Sequence, residues 1–508
     1  MKESEAFGLL VLVTAGAGLL AVLSNRLGDR IKIPLPVVFL VGAAVARLLV
    51  DDLHAPSDRL VERVVTVALL LVLFDGGRQI GWSRFRQAAA PIAIVGILGT
   101  FLTVAATGLL VHLAFGLDWY LALLVATAVS PTDPAVVFSV LGQREIPGRS
   151  STILEGESGA NDPVGIALMV SLIAAGGISA TAFGNVATSF LQQIGVGLGV
   201  GILGGLGLGW HMRHVSLPSE GLYPLRTLAA VMVLFGIASV AHGSGFLAVF
   251  VAGIVLGEAP GPYKREIDRF HAALASLGEI VAFLVLGLAI DLNTLTHTNV
   301  WIPGLIIGVT LAVVIRPALV GLCLLPARVD RNEQIFVLFA GLKGAVPILL
   351  ATFILGAHTS HAERLFGIVV VVVLFSVIVQ GTLVPTVAQR LRLPMRILEP
   401  EPWALGVRLR NEPEGVHRLA VAANSPADGR SIADIQQLTG HAQVGLIIRD
   451  SALVAINNDT QVHADDTIFV LADTEDDLEE IVRATAAPPP LDDPATNPTR
   501  PENDITQE

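Results

Sequence analysis

Apolar runs recur along this chain from Phe7 to about Leu391. Each is long enough to cross about 30 Å of hydrocarbon. Few features constrain a fold more, because a backbone inside lipid must pair its own N–H and C=O groups and so forms helices or closed barrels. Uninterrupted runs of this length are the helical case. We place them near residues 7–25, 33–50, 60–77, 91–115, 119–142, 151–176, 187–209, 224–241, 244–258, 274–291, 300–325, 332–356 and 364–389. That makes about thirteen spans. Composition agrees, since the 508 residues are 53% hydrophobic and 15% charged, whereas soluble domains carry about 25% charged residues. The first run follows Glu3 and Glu5 and lacks a small-residue cleavage pattern, so it reads as a retained helix rather than a signal peptide.

The loops alternate in charge. Arg26, Arg30 and Lys32 follow the first span; Arg78, Arg84 and Arg86 the third; Arg144 and Arg149 the fifth; Arg213 and Arg226 flank the loop after the seventh. Lys264, Arg265 and Arg269 follow the ninth, Arg328 and Arg331 the eleventh, and Arg390, Arg392 and Arg396 the last. The intervening loops are acidic or nearly uncharged. Basic loops face the cytoplasm, which puts the N-terminus outside and the C-terminus inside a cell membrane.

The formal net charge of −12 sits at one end. Through Arg396 there are 25 Lys/Arg against 23 Asp/Glu, and beyond it 7 against 21. Such an acidic balance argues against nucleic-acid binding. The single cysteine, Cys323, lies in an apolar run and excludes a disulfide framework or a cysteine metal site. No cofactor is expected. After Pro394 the pattern becomes that of a small α/β domain. Strands are expected at 417–423, 442–449, 453–456 and 467–472, and helices at 431–438 and 474–484. The domains are therefore 1–396 in the membrane, 400–486 in the cytoplasm, and a Pro- and Asp-rich tail over 487–508 that should be disordered.

Two spans are interrupted. The fifth contains Pro131-Thr132-Asp133-Pro134, and the twelfth contains Gly341-Leu342-Lys343-Gly344-Ala345-Val346-Pro347. With the seventh span as a linker, each is the fifth member of a six-helix half. Matching breaks in two halves point to a transporter site built from inverted repeats, since freed backbone at that depth must line a cavity or be buried in protein.

An ionisable residue at bilayer depth costs at least about 2.5–3.5 kcal/mol and is kept when it is paired, solvated or functional. The sixth span carries Glu155-Gly156-Glu157-Ser158-Gly159-Ala160-Asn161-Asp162. At helical spacing Glu157, Ser158, Asn161 and Asp162 share one face, while Gly156, Gly159 and Ala160 admit close neighbours. The broken fifth span adds Thr132, Asp133 and free carbonyls. Hard cations take such an oxygen set. Burial disfavours a charged carboxylate and a bound cation favours it, so proton and cation exclude each other on one acid; the choice falls on Asp162. Arg316 and Lys343 need counter-charges, and Glu157 is the natural partner for Arg316. Both basic residues also read as structural, Lys343 as a charge offsetting the carbonyl ends of half-helices. Asp75 reads equally as an interfacial acid or as a residue of a cytoplasmic funnel. Glu155 and Glu279 are taken to lie near helix ends. Gly199-Val200-Gly201-Ile202-Leu203-Gly204 has dinucleotide-binding spacing but sits within an apolar span, so it reads as helix packing.

Together these motifs, with Leu73-Phe74-Asp75-Gly76-Gly77, resemble the cation–proton antiporter superfamily in its sodium/proton exchanger branch, over about residues 7–390. The resemblance implies an all-α polytopic membrane protein with inverted repeats and two broken, crossed helices. It also implies a homodimer whose moving core carries the site. Asp162 is then the carboxylate for cation and proton, Asn161 its neutral companion, Thr132 and Ser158 ion ligands, and Glu157 and Arg316 a buried ion pair. An Asn–Asp pair implies electroneutral exchange. Lys343 stands where relatives commonly carry Arg, which keeps charge but loses bidentate pairing. Residues Gly429–Ile435, Val444–Arg449 and Ala464–Leu471 resemble the C-terminal regulatory domain of potassium-transport proteins. That implies a transported ion of K+ ahead of Na+ and a small-molecule or nucleotide regulator on 400–486, although no Rossmann unit precedes it; a folding or dimerisation module is the alternative. A ligand-gated potassium channel and a non-transporting membrane sensor are the rival readings. The first lacks a carbonyl-ring filter sequence, and the second has no use for the buried charges.

Overall fold

The computed structural model describes residues 16, 34–50, 55–141, 144–145, 149–259, 263–292, 295, 299–325, 330–357, 359–393, 396–397, 416–438, 443–449, 452–471 and 481–486. The chain divides into two compact units that part at residue 400. The first apolar run and the C-terminal tail lie outside the described residues, apart from residue 16.

The first unit is helical. α1 covers Leu35–Leu49, α2 Asp58–Ala93, α3 Thr100–Phe115, α4 Trp119–Ala128, α5 Pro134–Leu141 and α6 Arg149–Ala175. α7 covers Ala180–His214, α8 Leu222–Val240, α9 Gly245–Gly257, α10 Lys264–Ala289, α11 Trp301–Leu324, α12 Arg331–Phe339, α13 Ala345–Gly356 and α14 Ala362–Arg390. Among the described residues seven helical stretches are long and apolar enough to cross a membrane, and four shorter apolar helices accompany them. Two short strands, β1 (Arg144–Glu145) and β2 (Arg396–Ile397), pair antiparallel.

The structure departs from the sequence reading at the third and tenth spans. The segment holding Arg78, Arg84 and Arg86 was expected to be a loop. It is helical, and Asp58–Phe115 runs as one 58-residue stretch. A single crossing needs about 20 residues, and the stretch is divided at Gly81, whose φ of 65° and ψ of 168° leave the helical region. The Glu258 side chain occupies the outside of that break and accepts from Ser83 N at 3.1 Å. The tenth helix also begins ten residues before the expected 274, at Lys264. Its basic first turns sit beyond the apolar stretch, where Arg78 donates to Ile267 O at 3.2 Å and pairs with Asp268.

Glycine sets the closest approaches. α9 packs on α2 at Gly253 and Gly77: a Cβ on Gly253 would meet the Phe74 carbonyl at 2.5 Å and Arg78 N at 3.2 Å. The Gly199–Gly204 motif lies inside α7, and a Cβ on Gly201 would meet Ala248 O of α9 at 2.7 Å. Such contacts let helix backbones meet without a hydrophobic driving force between them.

The second unit is a four-stranded antiparallel sheet in the order β3 (Val416–Ala420), β6 (Thr467–Leu471), β4 (Gln443–Arg449), β5 (Ala452–Val454). Helix α15 (Ile432–Leu438) adds Ile432 and Ile435 to a core with Ile447, Val462, Ile468 and Val470. The first strand stops at Ala420, short of the expected 423, and a turn with Asn424 at φ 61° follows. Asp466 is fully buried behind this sheet. It accepts from Arg449 Nε and Nη2 and from His463 N, each at 2.8 Å. Burial alone would raise this carboxyl, but the Arg449 and His463 donors outweigh it and hold it below the ordinary aspartate range.

Two predictions follow from these contacts. Gly253→Val forces a side chain into the α2 backbone and should cost about 1–3 kcal/mol, read as a lower thermal midpoint in detergent. Gly199→Ala, which meets nothing within 4 Å, should leave the midpoint unchanged. Asp466 has a lowered folded value, so its contribution is complete above the unfolded value and disappears as pH falls through the folded one. Hydrogen exchange in residues 443–449 and 467–471 of the full chain, corrected for intrinsic rates, should stay flat down to about pH 4 and rise below it. Asp466→Asn should abolish that step.

Candidate functional site

The site forms where the two broken spans meet. The fifth span stops as α4 at Ala128 and resumes as α5 at Pro134; the twelfth stops as α12 at Phe339 and resumes as α13 at Ala345. Pro131 lacks an N–H, and Pro134 presets the first turn of α5. The unwound segments touch, with Asp133 N donating to Leu342 O at 2.8 Å. Pro131 rests on Gly165 of α6, where a Cβ would stand 2.8 Å from its ring.

Every set of half-helix ends facing the crossing has a partner. Asp133 stands at the two N-terminal ends: Ala135 N donates to its Oδ1 at 2.9 Å, and the Val136 and Ala345 amides also bond to the carboxylate. A Cβ on Gly344 would collide with it. The carbonyl ends meet donors. Lys343 Nζ donates to Ser130 O at 2.9 Å, at the end of α4. Arg316 Nε and Nη2 donate to Leu338 O and Val337 O at 2.9 and 3.2 Å, and Gln380 Nε2 to Phe339 O at 2.6 Å, all at the end of α12. Arg316 comes from a π-helical stretch of α11, Leu311–Val320, and Gln380 from one in α14, Phe375–Gln380. Such wide turns are frequent at functional sites.

α6 supplies the acids. Glu157 and Arg316, 2% and 6% exposed, form a bidentate pair with Nη1–Oε1 at 2.6 Å and Nη2–Oε2 at 2.9 Å. The guanidinium lies where a Gly341 Cβ would be. Asn161 Nδ2 donates to Thr132 Oγ1 at 2.8 Å, and Thr132 N reaches Asn161 Oδ1 at 3.4 Å, tying α6 to the first break. Ser158 Oγ donates to Asp162 Oδ2 at 3.4 Å. Asp162 Oδ1 is buried and has no hydrogen-bond partner among the described residues. Gly156 faces Ile92, Gly159 faces Phe250, and Ala160 meets Gly96, so the small residues of α6 receive neighbouring helices.

Asp75 and Glu155 lie apart from the crossing, whereas Glu279 is near enough to Asp133 for the two charges to act on one another. Asp75 is buried in α2 and accepts from Gln79 Nε2 at 2.6 Å. Glu155 lies in the second turn of α6 and accepts from Ser151 Oγ at 2.8 Å. Glu279 is not at a helix end; it lies in the middle of α10, with Oε1 buried and unpartnered among the described residues. The charge of Lys343 is met by a carbonyl, and no carboxylate among the described residues forms an ion pair with it. Sequence reasoning passed over Ser130, Ser376 and Gln380 entirely, and His271, buried in α10 with Nε2 2.7 Å from Thr227 Oγ1. A polar residue at span depth is the one signal they share.

Residues 14–390 match the family described as sodium/hydrogen exchanger, transmembrane, and residues 416–484 match the TrkA-C domain. The chain belongs to the sodium/hydrogen exchanger family. It is 30% identical over 491 residues to the K(+)/H(+) antiporter NhaP of Alkalimonas amylolytica, covering 95% of this chain and 85% of that one. It is 31% identical to the K(+)/H(+) antiporter NhaP2 of Shewanella sp. strain MR-4, covering 92% and 82%. The fold matches that of the sodium proton antiporter MjNhaP1 from Methanocaldococcus jannaschii at a TM-score of 0.64, with 21% identity over 77% of this chain and 99% of the other.

In this exchanger the Glu157–Arg316 pair is a direct target. Removing one partner of a buried pair costs about 3–5 kcal/mol. Glu157→Gln and Arg316→Gln should each lower the thermal midpoint strongly. The double variant should lose less than the sum, and a double-mutant cycle measures the coupling.

Proposed function

We propose that this exchanger moves a monovalent cation, K+ ahead of Na+, against H+ by alternating access, and that Asp162 carries the two ions in turn. The observation that supports it is the Asp162 carboxylate. It sits at the crossing of two broken helices with one oxygen unclaimed among the described residues, while Asp133, Glu157, Arg316 and Lys343 each have hydrogen-bond partners. Thr132 and Ser158 offer hydroxyl oxygens beside it, Asn161 holds Thr132 in place, and Asp133 adds negative charge while capping α5 and α13. A cation filling the unclaimed position excludes a proton, and the reverse, which is the minimum for coupled exchange.

The neutral Asn161 beside Asp162 supports an electroneutral cycle. The K(+)/H(+) names of the relatives that span nearly the whole chain support K+ as the favoured ion. Thirteen spans in inverted repeats, a homodimer, an outside N-terminus and a cytoplasmic TrkA-C domain over 400–486 that regulates exchange complete the reading, with residues 1–396 as the exchanger and 487–508 as a tail. Asp75, in α2, is taken in this reading as a residue of a cytoplasmic funnel. Glu157 and Arg316 brace α6 against α11, and Lys343 offsets the α4 carbonyls. The protein acts as a transporter in the cell membrane, not as an enzyme.

Reconstituted protein should dequench a pH dye on addition of K+ and, more weakly, Na+, at a rate independent of an imposed membrane potential. Asp162→Asn should reduce the signal to that of protein-free vesicles. Full exchange in that variant, or currents beyond any carrier turnover in planar bilayers, would rule the mechanism out.

A further inference from the structure

The second break is strapped from one side by a single turn of α14. Ser376 Oγ accepts from Lys343 N at 3.0 Å and donates to Gln380 Oε1 at 3.1 Å. Gln380 Nε2 in turn donates to Phe339 O at 2.6 Å. Both side chains are buried, at 2% and 5% exposure. The chain of bonds therefore grips the unwound segment at each end, Phe339 before it and Lys343 within it. The π-helical stretch Phe375–Gln380 brings both side chains to that face.

The ammonium of Lys343 depends on this grip. A cavity of about 20 Å³, part polar and part apolar, lies against Arg316, Lys343, Ser376 and Gln380 as well as Leu311 and Val372, room for one water molecule. Close packing is thus incomplete around Lys343, and hydrogen bonds locate it. Among the described residues its Nζ has one hydrogen-bond partner, the Ser130 carbonyl. Asp162 belongs to the same crossing: it follows Asn161, which bonds Thr132 two residues on from Ser130, and its Oδ1 is unclaimed among the described residues. A buried ammonium bonds more strongly to a carboxylate than to a carbonyl, so some constraint must keep the two apart.

We propose that Ser376 and Gln380 are positioning residues for exchange: they strap the second break so that the Lys343 ammonium stays on the Ser130 carbonyl and off the Asp162 carboxylate. The inference rests on the cation/proton reading above. With the strap cut, Lys343 gains the reach to occupy the cation's place, and the cation must compete with a tethered positive charge. Affinity falls, while turnover at saturating cation persists.

The test is cation-dependent exchange in proteoliposomes. Ser376→Ala and Gln380→Leu should each raise the apparent KM for K+ about tenfold, the equivalent of one buried hydrogen bond, with the maximal rate within about twofold. Ser376→Thr, which keeps the hydroxyl, should restore the wild-type KM. In a Lys343→Met background Ser376→Ala should add no further rise. A lowered maximal rate at unchanged KM in both strap variants would show a purely structural strap and overturn the inference. An equal KM rise in Ser376→Thr, or one that persists without Lys343, would overturn it as well. Wild-type protein that exchanges no cation overturns the transport reading itself, and this inference with it.

Discussion

Unwound backbone at membrane depth is the constraint on which the rest of this structure depends. Each helix break frees N–H groups at one end and C=O groups at the other, and lipid offers them nothing. Here the two breaks solve the problem jointly. Asp133 N bonds Leu342 O across the crossing, and the Asp133 carboxylate meets amides of both α5 and α13. Arg316, Gln380 and Lys343 meet carbonyls at the ends of α12 and α4. Negative charge stands at the positive ends of the half-helices and positive charge at the negative ends, as their dipoles favour.

This arrangement also explains why Asp162 is distinct. Glu157 is held by Arg316 through two bonds, and Asp133 by backbone amides. Arg316 is divided between a carboxylate and two carbonyls, so it cannot swing to Asp162 without abandoning both. Asp162 is left with a long bond from Ser158 and an open oxygen. A buried carboxylate in that condition is costly unless it takes up a proton or a cation. In the proposed cycle that cost is what makes the site responsive to either ion.

Much of this was legible in the sequence, for physical reasons that can be named. Pro131, Pro134, Gly341 and Gly344 announce the breaks, because proline lacks an N–H and glycine admits neighbours that a Cβ would exclude. The Glu157–Arg316 contact was legible because two opposite charges in an apolar setting must find each other. The partner of Lys343 was not. A carbonyl belongs to every residue, and composition does not say which one is exposed at a helix end. Ser376 and Gln380 were hidden for a related reason: uncharged polar residues cost little in a span and so attract no notice. The long helix from Asp58 to Phe115 was missed because arginines outside the apolar core read as a loop, although a helix can run on into water. Mid-helix Glu279 was misplaced for the same reason, since its span was begun ten residues late.

The strap from α14 follows from the same logic that satisfies the crossing. A break held only by backbone contacts would leave its charged residue free to choose among nearby partners, and the strongest choice for Lys343 is the carboxylate proposed to hold the ion. Holding Lys343 through its backbone amide, by Ser376, restricts the side chain without adding a charge that would itself compete. An acid at position 380 would bind Lys343 or Arg316 more tightly, but it would add a further negative group beside Asp133, Glu157 and Asp162, where the proposed exchange depends on one open carboxylate. Neutral amide and hydroxyl groups are therefore the side chains suited to that turn, much as Asn161 is suited to stand beside Asp162.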